Sequence, residues 1–78
     1  MINKEKKIVI GKKQTMRSIS KDEVEKVLVS KDADLHVTQP IVDVCNNQGI
    51  EIEYFDTMKE LGTACGIDVN AAAAAVLK

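Results

Sequence analysis

The sequence predicts one α/β domain over residues 1–78, a three-layer α-β-α sandwich around a four-stranded, mostly buried sheet. Three observations carry that expectation. Short β-branched runs alternate along the chain with segments of helical period. Glycines at 11, 49 and 66 stand where one pattern stops and another starts. The run Ala71–Ala75 leads into Val76 and Leu77, with side chains small enough for a central strand lying close under helices on both faces. A chain of 78 residues supports one core, with marginal burial.

Lys7 to Ile10 has the β-branched character of a short buried strand, and Gly11 stops it. Lys12 to Ser20 suits a helix, with Met16 and Ile19 spaced i, i+3 on an inward face and Thr15 and Ser18 outward. Glu25 to Ser30 reads as a second strand. Leu35 to Gln48 is helical but contains Pro40, which predicts a short leading turn and a helix starting near the proline. Ile41, Val44 and Cys45 would face inward, and Gly49 would end the helix.

A third strand follows over Ile50 to Phe55, where apolar residues alternate with Glu51 and Glu53. Asp56 or Thr57 can cap the next helix, with Glu60 three residues after Thr57 as its partner. That helix runs to about Cys65 and stops at Gly66. Ala72 to Leu77 is compatible with helix or strand, and the strand is preferred because its small residues suit the sheet centre.

Composition excludes several classes. A hydrophobic fraction of 45% with 29% charged residues is that of a folded globular chain, not a disordered one. No apolar run approaches the roughly 18 residues that span a bilayer, and Ile8–Ile10 is too short for a signal-peptide core. Cys45 and Cys65 fit no spacing motif and are expected to be buried thiols in a cytoplasmic protein. The net charge of −1 conceals a polarity. Residues 1–31 carry nine Lys/Arg against four carboxylates, and residues 32–78 carry two against eight. The near-neutral total argues against wrapping long nucleic acid, whereas the basic end suits a compact, shape-selected RNA.

Two segments carry the chemistry. Ile8 to Arg17 is a strand, a glycine turn and a helix opening with Lys12, Lys13 and Gln14. It superficially resembles a phosphate-binding loop but lacks the first glycine of that motif, which argues against a nucleotide-hydrolysing site. What it offers is a helix N-terminus with free N–H groups beside Lys12, Lys13 and Arg17, and an amide on Gln14 able to read a base edge. The alternative is a surface helix with solvated lysines. In the second segment, Lys59 to Ala71, a helix ends at a glycine and Ile67 and Val69 flank Asp68, with Asn70 following. The two aliphatics either anchor the loop in the core or, if exposed, pack on an extruded base while nearby cations hold phosphates.

The remaining candidates read as structural. His36 has no second His or Cys at metal-ligand spacing, and Asp32/Asp34 and Glu51/Glu53 suit a turn and a solvent face of a strand. Tyr54 and Phe55 are the only aromatics, too few for a base-stacking platform. No nucleophile–base pair or metal set is present, so neither an enzyme nor a cofactor is expected.

The segments Gly11-Lys12-Lys13-Gln14-Thr15, Val27 to Asp34 and Lys59 to Ile67 together resemble the L-seven-Ae/L-thirty-e ribosomal-protein family. Within it the likeness is to the small bacterial kink-turn RNA-binding members, and it extends from Ile8 to Leu77. The last segment, with leucine-glycine, a small residue and then glycine-aliphatic, is the most specific. The resemblance implies a mixed sheet and an RNA partner, a kink-turn whose tandem sheared G·A pairs flank a three-nucleotide bulge. It implies that Gly11 and Lys12 approach the phosphates and that Lys13 and Gln14 occupy the place of an Asn-Glu pair that contacts the G·A bases. Arg17 would fall at a basic position one turn later and Lys59 near a backbone contact. Ile67, Asp68, Val69, Asn70 and Ala71 would form the loop over the bulged nucleotides. Lys13-Gln14 in place of Asn-Glu removes a carboxylate acceptor for guanine N–H groups, so a larger backbone component and an altered base preference are expected.

The reading is therefore a monomeric, cytoplasmic protein that stabilises kink-turns in ribosomal or other non-coding RNA, with the ribosome itself a candidate partner. Two alternatives stand beside it. One is a ribosomal component docking on RNA without inducing a kink. The other is a protein-interaction module that uses the Ile67/Val69 loop without specific RNA binding.

Overall fold

The computed structural model describes residues 7–78, so Lys4, Glu5 and Lys6 of the basic half lie outside the described residues. Seven elements alternate: β1 (Ile8–Ile10), α1 (Lys12–Ser20), β2 (Val24–Ser30), α2 (Leu35–Gln48), β3 (Glu51–Phe55), α3 (Met58–Ala64) and β4 (Ala73–Leu77). The strands form one mixed sheet of order β1-β4-β2-β3. β2 and β3 are parallel, and β4 runs antiparallel to both β1 and β2. β1, β2 and β3 therefore end on the side of the sheet where β4 begins.

This topology dictates the layers. The chain steps from β1 to β2 to β3 in one direction across the sheet, so α1 and α2 cover the same face, and α3 covers the other on the way back to β4. Ile19, Val27, Val29, Ile41, Cys45, Ala73 and Ala75 form the core on the first face. Leu28, Leu61, Ala71, Ala74 and Val76 form the core beneath α3. The alanine run is the central strand β4, and Ala73, Ala74 and Ala75 are wholly buried because both faces and both edges of that strand are covered. Among the described residues no helix is long and apolar enough to cross a membrane.

Two expectations from the sequence fail. Thr15 and Ser18 do not face outward: both are buried, with Ile19, against the sheet, and Met16 is only half-buried. Residues 15, 18 and 19 share one helical arc, and the alanine surface of β4 leaves room there for short polar side chains. Nor does a helix begin at Pro40. α2 is continuous from Leu35, because Asp34 caps it by accepting from the His36 N–H at 2.8 Å. Pro40 cannot donate to the carbonyl four residues earlier, which belongs to His36, an exposed residue of the helix's first turn. The other stops hold: Gly49 is left-handed with φ 69°, and Thr57 caps α3 by accepting from the Glu60 N–H.

Candidate nucleic-acid interface

The carboxyl ends of β1, β2 and β3 carry the loops into the three helices, and the loop into β4 arrives at the same end. In open α/β sheets this is where ligands bind. Both segments singled out in the sequence meet here, because the Gly11 N–H donates to the Ala73 carbonyl at 2.9 Å and ties the start of α1 to the start of β4.

Gly11 occupies the N-cap of α1 with φ 100° and ψ 158°, a conformation essentially restricted to glycine, and offers no side-chain cap. The first intrahelical bond runs from the Thr15 N–H to the Gly11 carbonyl at 3.0 Å. The N–H groups of Lys12, Lys13 and Gln14 precede it, and these three residues are exposed, as is Arg17 one turn on. α1 has no acidic residue in its first turn. Two lysines at the positive end of an uncapped helix oppose the macrodipole, where Asp or Glu would be the stabilising choice. An exposed helix start with free N–H groups beside two cations is able to hold an anion.

The loop from Cys65 to Ala72 is built on α3. Gly66 turns it with φ 80°, the Ile67 N–H donates to the Gly62 carbonyl at 3.0 Å, and the Ala71 N–H donates to the Met58 carbonyl at 3.0 Å. The two aliphatics take opposite roles. Ile67 is half-buried against the core under α3, whereas Val69 is 67% exposed. Ala71 is buried in the core cluster beneath α3 and closes the loop from beneath. Asp68 and Asn70 are exposed beside Val69. Lys59, Thr63, Ile67, Asp68, Val69 and Asn70 line a shallow depression of about 230 Å³.

Thr63 was not singled out by sequence; its signal is the spacing of four from Lys59, which puts both on one helical face. Lys31 was also passed over as a site residue. It directly follows β2 as Gly11 follows β1, donates its backbone N–H to Phe55 and holds its ammonium 3.5 Å from Asp56. Asp32 is a loop staple, not an acid: its Oδ1 accepts from the Met58 N–H at 2.8 Å. His36 is exposed on α2. Burial pushes the thiols of Cys45 and Cys65 above the usual range, which disfavours the thiolate that nucleophilic chemistry needs. Among the described residues no group of three or more metal-ligating side chains converges.

The sequence profile of the ribosomal protein L7Ae/L30e/S12e/Gadd45 family matches residues 1–78. An RNA-binding protein of Caldanaerobacter subterraneus subsp. tengcongensis is 51% identical over 69 residues, 88% of this chain and 84% of that one. The RNA-binding protein YbxF of Geobacillus stearothermophilus is 43% identical over 72 residues, covering 92% and 88% respectively. Among solved structures, the Giardia lamblia 15.5kD RNA binding protein has the same fold, with a TM-score of 0.84 at 22% identity over 91% of this chain and 60% of that one.

Proposed function

The chain belongs to the ribosomal protein L7Ae/L30e/S12e/Gadd45 family, and on that premise we propose that it binds structured RNA and recognises the kink-turn within it. The observation that supports this most directly is the start of α1. An uncapped helix N-terminus bears Lys12 and Lys13 and is tied through Gly11 and Ala73 to the loop that exposes Val69. Phosphates near the bend satisfy the free N–H groups and the lysines, which relieves the opposition between those cations and the helix dipole. Gln14, next along the helix, presents an amide to the base edges, and Arg17 takes a flanking phosphate.

On the other side, Val69 covers an extruded base while Lys59, Asp68 and Asn70 surround the sugar-phosphate turn. Recognition of this kind selects shape and unstacked bases in RNA and requires no aromatic platform. The function is binding, not catalysis, in the cytoplasm and as a monomer. A relative named as an RNA-binding protein at 51% identity supports the partner class.

The test is a gel-shift titration of a kink-turn duplex without magnesium, beside the same duplex with its G·A pairs replaced by Watson–Crick pairs. Tight binding to the first alone is the expected result. Equal weak binding to both would reduce the site to a basic surface and move the interaction-module reading to the front.

A further inference from the structure

Asp32 is exposed in the connection from β2 to α2, at the same end of the sheet as the starts of α1 and β4. A carboxylate at that end repels phosphate, so its charge works against RNA. What the side chain does within the protein is bond across 26 residues of chain: Oδ1 accepts from the Met58 N–H at 2.8 Å.

Met58 is the first residue of α3 and directly precedes Lys59. Its own carbonyl accepts from the Ala71 N–H at 3.0 Å, and the Gly62 carbonyl accepts from Ile67. α3 and the Val69 loop are therefore one unit, and Asp32 holds it where helix and loop close on each other. The loop's exit is held separately. The Ala72 carbonyl accepts both the backbone N–H and the hydroxyl of Ser30, each at 3.1 Å. Ser30 ends β2, two residues before Asp32, so one short stretch of chain grips the unit at both ends. Thr57 acts differently. It accepts from the Glu60 N–H inside the first turn of α3, which caps the helix but ties it to nothing else.

We propose, resting on the kink-turn reading above, that Asp32 is a positioning residue for RNA binding. Through Met58 it sets the place of the Val69 loop against the start of α1, so that RNA meets both at once. An interface already held in its bound shape loses less freedom on binding. The acting part is the acceptor oxygen, and the charge opposes it. Charge and geometry therefore give opposite signs when the side chain is removed. On charge alone, Asp32→Ala removes a repulsion and tightens the complex. On geometry it frees the Met58 N–H and loosens the complex. Asparagine separates the two, because it keeps a carbonyl acceptor and drops the charge.

The test is a gel-shift titration of a kink-turn duplex with each variant, well below its thermal midpoint. Asp32→Ala should bind about ten-fold more weakly, the scale of one charge-assisted hydrogen bond. Asp32→Asn should bind as tightly as the wild type or more tightly. Thr57→Ala removes a cap from the same helix and should weaken binding less, at a comparable loss of thermal stability. Amide exchange at Ala71, followed without RNA, should quicken in Asp32→Ala and not in Asp32→Asn. Three results would overturn the proposal: Asp32→Ala binding at least as well as the wild type, or equal weakening by Asp32→Asn, or equal weakening by Thr57→Ala. A wild type that does not prefer the kink-turn duplex to its Watson–Crick counterpart would instead remove the proposed function. Exchange at Ala71 then still decides whether Asp32 holds the loop, and an unchanged rate in Asp32→Ala would overturn that as well.

Discussion

Gly62 of α3 lies so close beneath Val69 that a Cβ at position 62 would collide with the Val69 carbonyl oxygen. The contact is backbone on backbone and cannot be relieved by a rotamer change. It gives the leucine-glycine pair of this chain a structural reason: Leu61 fills the core under α3, and the missing side chain at 62 lets the loop settle on the helix.

Gly62→Ala therefore displaces the loop that presents Val69. Alanine gains about 1 kcal/mol in helix propensity, but overpacking against a rigid backbone costs about 1–3 kcal/mol, and the second effect should win. Urea denaturation should show a net loss of stability, and the gel shift a weaker RNA complex. A variant that is both more stable and equally tight would mean the loop yields freely and is not positioned by α3.

Gly11 is required for a different reason. A Cβ there meets nothing within 4 Å, yet φ 100° with ψ 158° excludes an L side chain on conformational grounds. Gly11→Ala should cost about 1–3 kcal/mol in a urea melt. Chemical synthesis with D-alanine at position 11 should recover most of that loss. Failure of the D-residue to do so would point to a steric cause.

Thr15→Val should stabilise the protein. The Thr15 hydroxyl is fully buried and its oxygen has no hydrogen-bond partner, an uncompensated desolvation that an isosteric methyl removes. A gain of about 1 kcal/mol in denaturant unfolding is expected. A loss of similar size would reveal a hydrogen bond to the hydroxyl, most simply through a water.

The same residue marks the limit of reading this fold from sequence. Periodicity and glycine stops were enough for four strands and three helices, because Gly11, Gly49 and Gly66 all take the positive φ that ends an element. Polarity misassigned Thr15 and Ser18, since α1 packs on β4, a strand contributed from the far end of the chain. Pro40 misled for a related reason: the capping bond from Asp34 and an exposed His36 decide whether a helix tolerates proline, and neither is visible in the proline itself. The candidate site was legible as two segments. That they meet through Gly11 and Ala73 depends on the antiparallel pairing of β1 with β4, a long-range fact with no local signature. The division of labour between Ile67 and Val69 is likewise set by the packing of the loop on α3.

The basic residues should separate by role. Lys13→Ala and Arg17→Ala are each expected to weaken kink-turn binding and to reduce the salt slope by about one unit, as removal of one phosphate contact does. Gln14→Ala should cost on the order of 1–3 kcal/mol against the preferred base and leave the salt slope unchanged. Equal losses on matched and mismatched RNAs would reassign Gln14 to positioning.

Lys12→Glu should move stability and binding in opposite directions. Lys12 is exposed at the first position of α1, whose first turn has no acidic residue and whose N-cap has no side chain to bond the free N–H groups. A carboxylate there complements the helix dipole, so the free protein should gain about 0.3–1 kcal/mol at low ionic strength, and the gain should fade with added salt. The same carboxylate repels phosphate, so RNA binding should weaken, most strongly at low salt. Paired urea melts and gel shifts at two salt concentrations check both halves. A variant that loses stability would mean the lysines already have an anionic partner within the protein, and the helix start would then be a structural feature with no need of RNA.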